Sequence, residues 1–305
     1  MTDMLKAALA AAALALPASA GSAASPAPAA ATAPAFAPTR FTVTVEGQGP
    51  DVILIPGLST PRDVWDGARA ALAGRYRVHL VQINGFGGTA AGPNAGGDIL
   101  PGTVAELQGY IEVNRLQRPA VVGHSLGGLL ALMLAEAAPD RVGRVMVVDA
   151  LPFIGALLGP GATVDAVRPQ ADALRAMMQR PASPEQRAAS AAQVAAGLAA
   201  TPSARERVAA WVAAADPLVA GQMTYEGFTT DASAQLGRIA APVTVLYAWN
   251  EATLPEERAR TVFEPAYAGV SRVRFEPVGG SGHFIMLDQP ARFEALLRAF
   301  LEARD

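Results

Sequence analysis

The sequence predicts an α/β fold: a largely parallel sheet covered by helices on both faces. Three observations point to it. From Phe41 onward, short apolar runs alternate with stretches of helical periodicity. One apolar run leads through a glycine-flanked serine directly into a helical stretch, Ala120-Val121-Val122-Gly123-His124-Ser125-Leu126-Gly127. A strandless segment, 151–236, interrupts the alternation.

Strands are expected over 41–46, 51–55, 76–83, 119–123, 144–149, 242–248 and 271–278, each a short β-branched or aliphatic run bounded by turn residues. Helices are expected over 61–73, 103–116, 126–138, 256–267 and 290–303. Pro61 and Pro290 open two of these, where a missing N–H costs nothing. Between Leu151 and Leu236, helical stretches rich in Ala, Met and Arg are broken at Pro152, Pro160, Pro169, Pro181, Pro184, Pro202 and Pro217. An all-helical insertion of this kind reads as a cap.

The N-terminus carries a different signal. Lys6 and the amino terminus supply positive charge, an apolar stretch runs from Ala7 to Leu16, and Ala18-Ser19-Ala20 is a small-residue cleavage site. Residues 1–20 therefore read as a secretory signal peptide, and 21–40, rich in Ala and Pro, as a disordered linker. The apolar stretch, about ten residues long, is too short to span a bilayer, so no stable membrane anchor is expected. The implied location is periplasmic or secreted. The core then comprises 41–150 and 237–305, with the cap at 151–236.

Composition excludes much chemistry. Zero cysteines remove thiol catalysis, iron–sulfur clusters and disulfides. Lys6 is the one lysine, so the mature chain lacks the residue needed for a Schiff base or a phosphate-binding P-loop. With 3 histidines, His79, His124 and His283, a histidine-rich metal site is not expected, and no cofactor is called for. A net charge of −3 suggests no nucleic-acid partner and leaves a small-molecule substrate as the expected one. Gly85-Phe86-Gly87-Gly88-Thr89-Ala90 imitates a dinucleotide fingerprint, but Gly92-Pro93-Asn94 follows where a helix should receive the pyrophosphate.

The strand, serine turn and helix around Gly123-His124-Ser125-Leu126-Gly127 resemble the nucleophile elbow of the α/β-hydrolase superfamily. The resemblance extends from Phe41 to the C-terminus and places the cap after the sixth strand. A serine hydroxyl needs a base. His79 falls inside a strand and reads as a packed sheet residue, and His124 points away from its neighbour across a sharp turn. His283, in the loop Ser281-Gly282-His283-Phe284 after the last strand, remains, and it is where the resemblance puts the general base.

The third member should be a carboxylate that fixes the histidine tautomer. The resemblance implies the loop after 242–248, where Glu251 stands in place of the usual aspartate. Asp149, ending the strand 144–149, is the alternative acid, and Asp231 a remoter one. Oxyanion donors are implied at the N–H groups of Leu126 and of Leu58, in Ile55-Pro56-Gly57-Leu58. Pro56 stands where the family usually has histidine. Asp288 reads as structural.

Of the apolar cap residues Phe153, Ile154, Leu157, Met177, Met178, Met223 and Phe228, a few are expected to touch substrate. The expected activity is hydrolysis of carboxylic esters of small to medium apolar groups. The same triad also serves amide, lactone or carbon–carbon hydrolysis and acyl transfer, and the fold also serves as a catalytically inactive binding protein.

Overall fold

The computed structural model describes residues 36–159 and 161–303. The signal peptide expected at 1–20 and most of the linker lie outside them. The last linker residues do not match the expected disorder: the Glu106 carboxylate accepts from the N–H groups of Thr39 and Arg40, both at 2.8 Å.

The described elements run β1 (Phe41–Gly47), β2 (Asp51–Ile55), α1 (Asp66–Leu72), β3 (Arg77–Ile83), α2 (Ile99–Val113), β4 (Ala120–His124), α3 (Leu126–Ala137) and β5 (Arg144–Val148). The insertion follows as α4 (Val164–Met178), α5 (Pro184–Leu198), α6 (Pro202–Ala214) and α7 (Pro217–Thr229). The core resumes with β6 (Val243–Trp249), α8 (Glu256–Ala266), β7 (Val273–Gly279), α9 (Ile285–Asp288) and α10 (Pro290–Glu302).

All seven strands join one sheet in the order β1-β3-β2-β4-β5-β6-β7. β1 pairs antiparallel to β3, and the remaining pairs are parallel. The insertion therefore leaves the fifth strand in chain order, not the sixth: five strands, β1 to β5, precede it, matching the five apolar runs before residue 151.

Strand alternation divides the core. Ile53, Ile55, Val121, Val145 and Val147 face α2, α3 and α8, whereas Val52, Leu54, Val122, Met146 and Val148 face α1 and α10. Both faces are covered, which explains the uninterrupted apolar runs in these strands. In such a sheet the carboxyl ends of the strands share one edge, and the loops leaving them converge there.

Several elements depart from the expected boundaries, α1 beginning at Asp66 rather than 61 because Arg62–Trp65 form a 3₁₀ turn. Helix α2 begins at Ile99 rather than 103 because Glu226 of α7 caps it, its carboxylate accepting from the N–H groups of Ile99 (3.0 Å) and Leu100 (2.7 Å). Two of the helix's four unpaired donors are thus satisfied from 127 and 126 residues away. Pro169 does not break the chain but lies inside α4, whose buried Val167 and Ala171 hold it in place. Pro184, Pro202 and Pro217 instead open α5, α6 and α7, behind side-chain caps from Ser183, Thr201 and Asp216.

Candidate active site

The chain leaves β4 at His124 and enters α3 at Leu126 with a single residue between them, Ser125, at φ 54° and ψ −127°. The flanking glycines are required by contact. A Cβ on Gly123 would lie 2.6 Å from the Gly128 nitrogen and still closer to the Gly127 carbonyl oxygen. One on Gly127 would lie 2.5 Å from the Pro56 carbonyl oxygen. The turn after β2 is pressed equally close: a Cβ on Gly57 would sit 2.9 Å from the Ser125 Cβ. That proximity brings the Leu58 and Leu126 N–H groups to the neighbourhood of the serine, and neither has an acceptor among the described residues.

The acid beside His283 is Asp149. Its Oδ2 accepts from His283 Nδ1 at 2.7 Å, and its Oδ1 accepts from the Ala248 N–H at 2.7 Å. Asp149 stands just past β5 with φ 51°, and this left-handed backbone leans the carboxylate over the end of β6 toward the loop after β7. Its own N–H donates to the Leu246 carbonyl at 2.7 Å. Behind it the buried Tyr267 hydroxyl donates to the Ala150 carbonyl at 2.7 Å.

Glu251, expected as the acid, is not brought to the histidine. The chain after β6 folds into a closed turn in which Asn250 and Leu254 exchange backbone bonds of 2.9 and 2.8 Å. Glu251 projects from it, exposed, beside Glu256, Glu257 and Arg260. Asp231 is likewise engaged locally, accepting from the Ser233 N–H at 2.8 Å.

Ser125, Asp149 and His283 open together into a cavity of about 420 Å³. Leu126, Leu129, Leu151, Ile154, Leu157, Leu198, Leu254 and Phe263 make its walls apolar. Of the cap residues singled out, Ile154 and Leu157 reach it, whereas Phe153 and Met223 are buried in the core and Met177 is exposed. The turn after β3 supports the cap: the Asp216 N–H donates to the Gly85 carbonyl at 2.8 Å.

Asp288 is structural, as its position suggests. It accepts from the N–H groups of Gly282, Ala200 and Thr201 and from the Thr201 hydroxyl, tying the His283 loop to the start of α6. His79 is a sheet residue, bonded through its two ring nitrogens to Tyr110 and Asp51.

A sequence model of the alpha/beta hydrolase family matches residues 52–296. The chain belongs to that family. Among curated relatives of this alpha/beta hydrolase, a pimeloyl-[acyl-carrier protein] methyl ester esterase from Aeromonas hydrophila subsp. hydrophila is 39% identical over 116 residues, 36% of this chain and 42% of that protein. The match thus spans about two-fifths of that relative's length. A second esterase of that name, from Edwardsiella ictaluri, is 26% identical over 261 residues, covering 83% of this chain and 94% of the relative. Among solved structures, an esterase from Exiguobacterium antarcticum superposes with a TM-score of 0.71 at 19% identity, covering 86% of this chain and 96% of that one. The enol-lactonase from Burkholderia xenovorans does so at 0.69 and 19%, with the same coverage.

The residue that sequence reasoning passed over is His124. It is fully buried, its Nε2 lies 3.0 Å from the His283 carbonyl oxygen, and its Nδ1 has no partner among the described residues. Burial, with the facing His283 ring, pushes its pKa well below the ordinary 6.5, so the folded ring is neutral. His79 is lowered too, by burial against the opposing pull of Asp51.

The unfolded chain protonates both rings near 6.5 while the folded chain resists. Stability from these groups is thus full above that pH and is lost as pH falls through the depressed folded values. The melting temperature is expected to drop from pH 7 to pH 5, and His124→Gln to drop less over the same range. Equal slopes in a thermal-melt series would refute the assignment.

Proposed function

We propose that this alpha/beta hydrolase is a serine esterase acting on carboxylic esters of small to medium apolar groups. The observation that carries the reading is the Asp149–His283 hydrogen bond of 2.7 Å inside an apolar cavity shared with Ser125.

Ser125 Oγ attacks the ester carbonyl carbon while His283 Nε2 takes its proton. Asp149 keeps the proton on Nδ1, so that Nε2 is free to accept, and offsets the positive charge the ring then carries. The Leu58 and Leu126 N–H groups hold the oxygen that becomes negative. Collapse breaks the ester C–O bond, and His283 returns the proton to the departing alcohol. Water, deprotonated by the same ring, then releases the acid from acyl-Ser125.

Walls without lysine or arginine favour uncharged groups on either side of the ester. The esterase relatives support the bond type, and residues 1–20 support an exported protein.

The test uses the full chain expressed in a bacterium and recovered from the periplasm, its intact mass reading cleavage after Ala20. A fluorophosphonate probe is expected to label Ser125 and to spare Ser125→Ala. A series of p-nitrophenyl esters is expected to lose turnover once the acyl chain outgrows the cavity. Undiminished ester turnover by Ser125→Ala would overturn the mechanism.

A further inference from the structure

The mechanism leaves one buried imidazole beside the site without a part. Because the backbone reverses at Ser125, the side chain before it leaves the turn on the opposite side, and His124 ends behind His283. Its ring centroid is 4.6 Å from that of His283 and 4.7 Å from that of Phe284. His283 is the titratable group that acts on it, the Phe284 ring packs against it, and its Nδ1 faces the Gly57 turn.

A carbonyl oxygen carries no proton, so the 3.0 Å contact with the His283 carbonyl requires the hydrogen on His124 Nε2. In the neutral ring that leaves Nδ1 a bare acceptor, and it is buried with no partner among the described residues. The contrast with His79, whose two nitrogens are both bonded, is informative. A leucine or phenylalanine would fill the same space without stranding a nitrogen. What the imidazole adds is one donor, aimed at the main chain of His283.

We propose that His124 is a positioning residue: its Nε2–H holds the backbone of His283 in place while Asp149 holds the ring. The proposal rests on the reading of His283 as the general base. Two anchors on one residue, one on the main chain and one on Nδ1, leave the ring little freedom except to present Nε2 to Ser125. Without the first, the loop Ser281-Gly282-His283 still has its Asp288 bond, but the carbonyl can turn and carry the ring with it.

Misplacing a reacting group by about 1 Å costs up to about 10²-fold in rate. His124→Phe is therefore expected to lower kcat by about 10- to 100-fold with little change in KM. His124→Gln, whose side-chain N–H reaches toward the same carbonyl, is expected to recover most of that loss. A purely structural role would make both variants fail together or not at all.

Ring-¹⁵N-labelled wild-type protein supplies a readout independent of folding in the variants. His124 is expected as the Nε2–H tautomer, uncharged from pH 8 to pH 6. A proton on Nδ1, a wild-type kcat in folded His124→Phe, or no recovery in folded His124→Gln would each overturn the proposal. Fluorophosphonate labelling separates this from failure of the underlying reading. Wild-type protein that does not label at Ser125 removes the base role of His283, and the positioning role falls with it.

Discussion

Asp149→Asn is expected to lower kcat by about 10³- to 10⁴-fold, whereas Glu251→Gln leaves it unchanged. The loss follows from the position of one proton. His283 Nδ1 donates to Asp149 Oδ2 at 2.7 Å, and the other carboxylate oxygen is held by the Ala248 N–H. In the asparagine variant the single oxygen stays with the backbone donor, and the NH₂ group faces Nδ1. Two donors cannot pair, so the imidazole shifts its proton to Nε2, the atom that must accept from Ser125. Glu251 is exposed on its own closed turn and has no such coupling. Steady-state kinetics on a chromogenic ester, with melting curves to show that both variants fold, checks the pair. A loss confined to Glu251→Gln would reverse the assignment.

Gly123→Ala is expected to yield no stably folded protein, with a cost above about 4 kcal/mol. The added methyl group would meet backbone, not a side chain that can rotate away: the Gly128 nitrogen at 2.6 Å and the Gly127 carbonyl oxygen nearer still. Helix α3 cannot retreat toward β2, because Gly127 is already against the Ile55 and Pro56 carbonyls. The same substitution at Gly197, in α5 with open space around the would-be Cβ, is expected to stabilise by about 0.5–1 kcal/mol. Thermal melts of the two variants side by side check the contrast. A Gly123→Ala protein melting with the wild type would show that the turn is not locked by contact.

The parts of the site that local constraints dictate were readable in the chain. A strand, a residue at positive φ and a helix packed at backbone distance demand glycines at fixed offsets, and Gly123, Gly127 and Gly128 stand at them. Three histidines left few candidates for a base. The start of α2 was not legible, since its cap comes from Glu226, more than a hundred residues on. The role of His124 was hidden for a related reason. A sharp turn tells where its side chain does not point, but only the approach of the His283 loop gives its Nε2 a partner.

By itself, then, the sequence determined the alternation of strands and helices, the helical insertion, and the turn that presents Ser125, because each follows from neighbours along the chain. Tertiary structure decided which carboxylate meets His283. Asp149 and Glu251 both follow strands of one sheet, and nothing in the spacing separates them. The difference is three-dimensional. A left-handed residue after β5 leans its carboxylate across β6, while the turn after β6 closes on itself and carries Glu251 out to solvent.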